Sequence, residues 1–126
     1  MRFTELEYNV IKWANKKDLI KEENVYQQYA KFQEESNEIL IAINKVKAVI
    51  KKAGEIDVTN PNDVGMLNNL RTGANNELKD GIGDTIVTLI ILAAQNNLKI
   101  KDCLEYAYNE IKNRTGKTIG GTFIKD

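Results

Sequence analysis

The sequence predicts an all-α domain of four helices with a short hairpin at its end. Three observations carry that expectation: one proline in 126 residues, apolar residues recurring at helical spacing, and Gly120-Gly121 between short β-prone pieces. The length suits one domain spanning residues 1–126 and is too short for two. A compact chain of this size should bury roughly two-thirds of its unfolded surface.

The first helix is expected over about Thr4–Lys17, with Leu6, Val10, Ile11 and Trp13 spaced for one buried face. Thr4 and Glu7 have the spacing of a capping box. A longer helix follows over about Glu22–Ala53, with Ile39, Ile43, Val46 and Ile50 on its period and Gly54 as its stop. Residues 55–73 are rich in Asn, Asp, Gly and Thr and read as a loop with a short helical turn near Val64–Leu70. The third helix is placed over about Asn75–Asn97, its run TIVTLIILAA buried nearly all round. The fourth spans about Lys101–Arg114 and stops before Gly116. The tail, 115–126, should dock its hairpin on the helices or on a partner, because an isolated hairpin is marginal in water.

Eighteen basic residues balance eighteen acidic ones, and there is no histidine. Zero net charge argues against non-specific nucleic-acid or anionic-membrane binding. The missing histidine excludes Ser-His and Cys-His nucleophile pairs and every His-containing metal site. Cys103 is alone, so there is no disulfide framework, and it reads as a packing residue. The N-terminus lacks the apolar run of a signal peptide, and Ile86–Ala94 is about half of what a bilayer needs. A cytoplasmic protein is the expectation.

Chemistry must then run on carboxylates, lysine, arginine, tyrosine, hydroxyls and amides, with or without a hard metal ion. Glu34, Glu35 and Glu38 fall within roughly a 100° arc of the second helix, shared by Gln27 and Lys31 and continued by Ile41, Ala42 and Val49. Glu77, Asp80 and Asp84 occupy about a 60° arc of the third, continued by Val87, Thr88 and Ile91. Carboxylates buried together are costly unless a cation neutralises them. Two acidic helix faces at one seam suit Mg²⁺ or Mn²⁺. The bland alternative is that both clusters face solvent or pair with Lys31 and Lys79. Gly81 and Gly83 inside a helix point either to a close approach or to a kink. Gly116-Lys117-Thr118 is not a P-loop, because the first glycine is absent and a helix precedes it.

At these residues the chain resembles the MazG-like all-α nucleoside triphosphate pyrophosphohydrolase superfamily, in particular its small, phage-type members. Glu34-Glu35-Ser36-Asn37-Glu38 matches EExxE, with Lys31 giving the frequent KxxEE form. Trp13-Ala14, a short linker and Gln27 resemble the usual lead-in, and AYNEIKNRTGK with GGTFIKD resembles the usual ending. The likeness runs from about Val10 to Ile124. Two features depart from the pattern. Residues 55–73 look like an insertion, and the second motif has two registers. Glu77-Leu78-Lys79-Asp80 spells ExxD, whereas Asp84 leads directly into the apolar helix but has Gly81 where the glutamate belongs.

The resemblance implies Mg²⁺-dependent cleavage of a nucleoside triphosphate between the α- and β-phosphates, with Mn²⁺ a possible substitute. It implies metal ligation by Glu35, Glu38, Asp80 and Asp84, with Glu77 outermost. Glu34 would accept a proton from water, and Glu38 would belong to the catalytic set. It further implies substrate binding by Lys31, Asn109, Lys112, Asn113, Arg114, Lys117 and Trp13. A homodimer or dimer of dimers is implied too, with sites near the interface and the tail reaching across it. Two alternatives stand beside this: a non-catalytic helical adaptor, and a phosphoribosyl-ATP pyrophosphohydrolase of the same fold.

Overall fold

The computed structural model describes residues 1–126. Its helices are α1 (Phe3–Lys16), α2 (Val25–Ala53), α3 (Pro61–Gln95) and α4 (Ile100–Ile111), with a 3₁₀ turn at Glu22–Asn24. An antiparallel hairpin follows, β1 (Gly116–Ile119) and β2 (Thr122–Lys125). The all-α class and the hairpin are as the sequence predicts.

The expected loop over 55–73 is a correction. Only residues 54–60 lie outside helices there, and α3 starts fourteen residues before the predicted Asn75. The cause is local. Asn60 caps the helix by accepting from the Asn62 backbone N–H at 3.0 Å, and Pro61 occupies the first turn, where its missing N–H costs nothing. Leu67 and Ala74 are then buried, and that burial outweighs the poor helix propensity of Gly65, Gly73 and the asparagines.

The two long helices, 29 and 35 residues, form an antiparallel hairpin of about 44 and 52 Å. Their buried positions recur every seven residues: Gln28, Glu35 and Ala42 on α2, and Leu67, Ala74, Gly81, Thr88 and Gln95 on α3. That is the period of a coiled-coil seam. Gln28, not the expected Gln27, faces inward; its side-chain amide donates to the Thr88 carbonyl at 3.2 Å. At the middle, Gly81 lies against Ile39, where a Cβ would come within 3.6 Å of Ile39 Cγ1. That is ordinary van der Waals distance, and Gly83 meets nothing, so neither glycine is required by a close approach of the helices.

Helix α1 packs on the C-terminal part of α3, and Ala14 is fully buried. The capping box does not form: Arg2 occupies the cap position, and no side chain bonds there. Glu7 caps a different helix. It is buried, and its Oε2 accepts from the Ile100 and Lys101 backbone N–H groups at 2.6 and 3.4 Å, fixing the start of α4 on α1. Beyond that anchor α4 buries no residue, with Ile100 and Cys103 half-buried.

Gly120 and Gly121 both have positive φ, 58° and 81°, as a two-residue type I′ turn requires. Gly116 sits under the Phe123 ring, where no side chain would fit. The hairpin is otherwise exposed and does not dock on the helices of its own chain.

The apolar run 85–94 of α3 is buried or half-buried except at Ile86, which is 40 % exposed; Ile82, one turn before it, is also exposed. Leu40, Ile41, Ile50, Val58, Leu104, Tyr106 and Ile111 are exposed as well. The chain's accessible surface is 9638 Å², about 2,800 Å² above that of a compact monomer of its mass, so it falls short of the expected two-thirds burial. No helix is long and apolar enough to cross a membrane.

Candidate functional site: a carboxylate cleft between α2 and α3

Both acidic groups come to the same place. A cleft of about 270 Å³ opens along the seam, lined by Glu38, Ile41, Ala42 and Lys45 from α2 and by Glu77, Asp80, Gly81 and Asp84 from α3. The small residues Ala42 and Gly81 are buried among these lining residues and leave room between the helices. Antiparallel packing sets the middle turns of α2 against the middle turns of α3, so neither motif alone makes the cleft.

Glu35 lies deeper. It is 9 % exposed, and its Oε1 is held by the Lys31 ammonium at 3.1 Å. Its Oε2 is buried with no hydrogen-bond partner. The Lys31 ammonium offsets part of the cost of burying this charge, but Oε2 itself has no donor. Lys31 also reaches Glu34 at 3.3 Å; the two carboxylates raise its pKa above the ordinary lysine value, first through hydrogen bonding to Glu35.

Like charges shape the rest. The negative charge of Glu35, with a smaller contribution from Glu34, pushes Glu38 above the usual carboxylate range. Asp84 is raised as well, first by desolvation and then by the charges of Asp80 and Glu35. Lys79 takes no part in any ion pair, but lysines do reach both clusters: Lys31 pairs with Glu34 and Glu35, and Lys45 pairs with Glu77, leaving Glu38, Asp80 and Asp84 without a basic partner.

The donor set is carboxylate oxygen throughout, the chemistry that Mg²⁺ and Mn²⁺ prefer. The unpaired Glu35 Oε2 is the kind of atom such an ion would satisfy. No three metal-ligating side chains are yet close enough together, as they stand, to form a ready cage. Glu38 and Asp80 are exposed and free to rotate inward; Glu35 is already in place. Donor chemistry and the orphaned oxygen fit a divalent ion.

The other predicted residues fall elsewhere. Asn109, Lys112, Asn113, Arg114 and Lys117 are exposed at the end of α4 and in the hairpin, and none lines the cleft of its own chain. Lys112 instead donates to the Asn109 side-chain oxygen at 3.2 Å. Trp13 is half-exposed and lines a separate apolar groove of about 350 Å³ with Leu6, Asn9, Val10 and Val87. Val87 is one turn beyond Asp84 on α3, which puts the groove next to the carboxylates. Lys45 was not singled out from the sequence, although it continues the seven-residue spacing of Lys31 and Glu38.

Comparison with protein-family models, with curated proteins and with solved structures returns no match for this chain.

Proposed function

We propose that the chain is a divalent-cation-dependent nucleotide pyrophosphohydrolase whose centre is the α2–α3 carboxylate cleft. The observation that carries this reading is Glu35: a buried carboxylate with an unpaired oxygen, next to Glu38 on its own helix and to Asp84 on the facing one. A chain that keeps acids on a buried face loses stability by doing so, and a bound cation is the simple compensation. The EExxE spelling and its resemblance to the MazG-like superfamily support the same reading.

Glu35, Glu38 and Asp84, with Asp80, would hold the ion, which when bound supplies charge neutralisation and a water of lowered pKa. Lys31 fixes the orientation of Glu35. Glu34 is exposed beside it and is the carboxylate left to take a proton from water. The Trp13 groove offers an apolar wall for a base at one end of the cleft. The surface excess supports assembly with a second copy, since it matches the area that obligate homodimers bury. Residues of α4 and the hairpin would then approach a cleft other than their own.

The adaptor reading keeps one specific support, that the carboxylates do not yet form a cage. Pyrophosphate release from a panel of canonical and modified nucleoside triphosphates with Mg²⁺ separates the two. Turnover to monophosphate, reduced about 10²- to 10⁴-fold by Glu38→Gln, is the expected result. No cleavage of any nucleotide by wild type would leave the acids as structural groups and favour the adaptor.

A further inference from the structure

The cleft has a cation of its own. Lys45 is the one basic residue among its lining side chains, and its Nζ meets Glu77 Oε2 at 2.8 Å, joining α2 to α3 at the end of the cleft away from Trp13. Lys31, Glu38 and Lys45 are seven residues apart, so they share a face of α2 with about 10 Å between successive positions. Glu38 is therefore midway between two lysines. Lys31 is committed to Glu34 and Glu35, whereas Lys45 is held by a single exposed carboxylate.

We propose that Lys45 is a positioning residue for the phosphate chain of the substrate; this rests on the reading of the cleft as a polyphosphate site. Its side chain and that of Glu77 are 56 % and 53 % exposed, and an ion pair that open to water is weak. Exchanging Glu77 for a phosphate oxygen therefore loses little and gains a charge-assisted hydrogen bond. Without a ligand, Glu77 holds the ammonium at the far end of the cleft, away from Glu38 and Asp84. The arrangement gives the substrate a direction. Its terminal phosphates face Lys45, and its nucleoside faces the groove of Trp13 and Val87.

The test is calorimetric titration of the full chain, with Mg²⁺ present, using pyrophosphate in one arm and a nucleoside monophosphate in the other. Lys45→Ala should weaken pyrophosphate by about 10- to 100-fold and leave the monophosphate unchanged. Lys45→Arg should keep most of the affinity, and Glu77→Gln, which frees the ammonium, should bind pyrophosphate at least as tightly as wild type. In turnover, Lys45→Ala should raise KM by a similar factor with little change in kcat. Wild-type pyrophosphate affinity in Lys45→Ala overturns the inference, and if wild type still cleaves nucleotides the carboxylate reading survives. Equal weakening by Lys45→Ala and Glu77→Gln would make the pair structural and also overturn it. Should wild type neither bind pyrophosphate nor cleave a nucleotide, both fall together.

Discussion

The two halves of the α2–α3 seam use one period for opposite ends. Toward the tip of the hairpin its buried positions are Ala42, Leu67 and Ala74, with Val46 and Val49 beside them, an apolar seam that needs no ligand. Toward the other end the same positions hold Gln28, Glu35, Thr85 and Thr88. Gln28 and the threonines bond to helix carbonyls, so their polar groups are satisfied within the chain. Glu35 is not. Two buried seam oxygens lack a partner, the Gln95 amide oxygen and Glu35 Oε2, and only the second belongs to a carboxylate, where the missing partner is the more costly.

The largest effect should come from removing that charge while keeping its shape. Glu35→Gln is expected to reduce nucleotide turnover by about 100-fold or more. The variant should nevertheless melt slightly higher than wild type when no divalent ion is present, because the repulsion of Glu35 on Glu38 and Asp84 is relieved, which outweighs the loss of its pair with the half-exposed Lys31. Wild type should gain stability with millimolar Mg²⁺, by about 2.7 kcal/mol at a hundred times its Kd, and the variant should not. Thermal melts with and without Mg²⁺ decide this. A variant that melts lower and hydrolyses normally would show Glu35 to be a structural partner of Lys31.

The apolar half should break in the reverse sense. Leu67→Ala removes a buried side chain from a thin two-helix seam, at a cost of about 2–3 kcal/mol. Turnover per folded molecule should hold, since Leu67 does not line the cleft. Urea denaturation paired with a kinetic assay reads both. A turnover loss as large as that of Glu35→Gln would mean that the two halves are not separable.

The sequence shows where each acid stands on its own helix, because the angular arc is a local property. That is why Glu35, Glu38, Asp80 and Asp84 are legible from spacing, and the structure brings both faces to one cleft. It does not show which residues oppose each other across the seam, since that depends on where both helices begin. Mistaking 61–73 for a loop hid the cap at Asn60 and the buried Leu67, and with them the continuation of the seven-residue period. Lys45 escaped notice for the same reason: it acquires meaning only once Glu77 is across from it. Glu7 misled in another way. Its capping spacing is genuine, but the helix it caps is α4, ninety-three residues away, and no local pattern encodes that.

The smallest effect is in the pH dependence of stability, and it too divides the polar seam from the rest. Glu38 and Asp84 have folded-state pKa values above their ordinary values of 4.5 and 3.8, so the folded chain binds their protons more tightly than the unfolded one. Their contribution is fully present below those ordinary values and is lost as pH rises through the raised ones. Asp57 works in the opposite direction. The Thr59 hydroxyl and backbone N–H lower its pKa, so its contribution is present above 3.8 and is lost as pH falls through the lowered value. With the divalent ion chelated, wild type should melt slightly higher in mild acid than at neutrality, before further acidification removes the Asp57 contribution. Saturating Mg²⁺ should reverse that slope, because the ion binds the deprotonated carboxylates. Melting curves from neutral to mildly acidic pH, with chelator and with Mg²⁺, test both signs, and the double variant Glu38→Gln with Asp84→Asn should flatten both. A chelated wild type that loses stability on mild acidification just as the double variant does would mean that the clustered charges do not strain the seam.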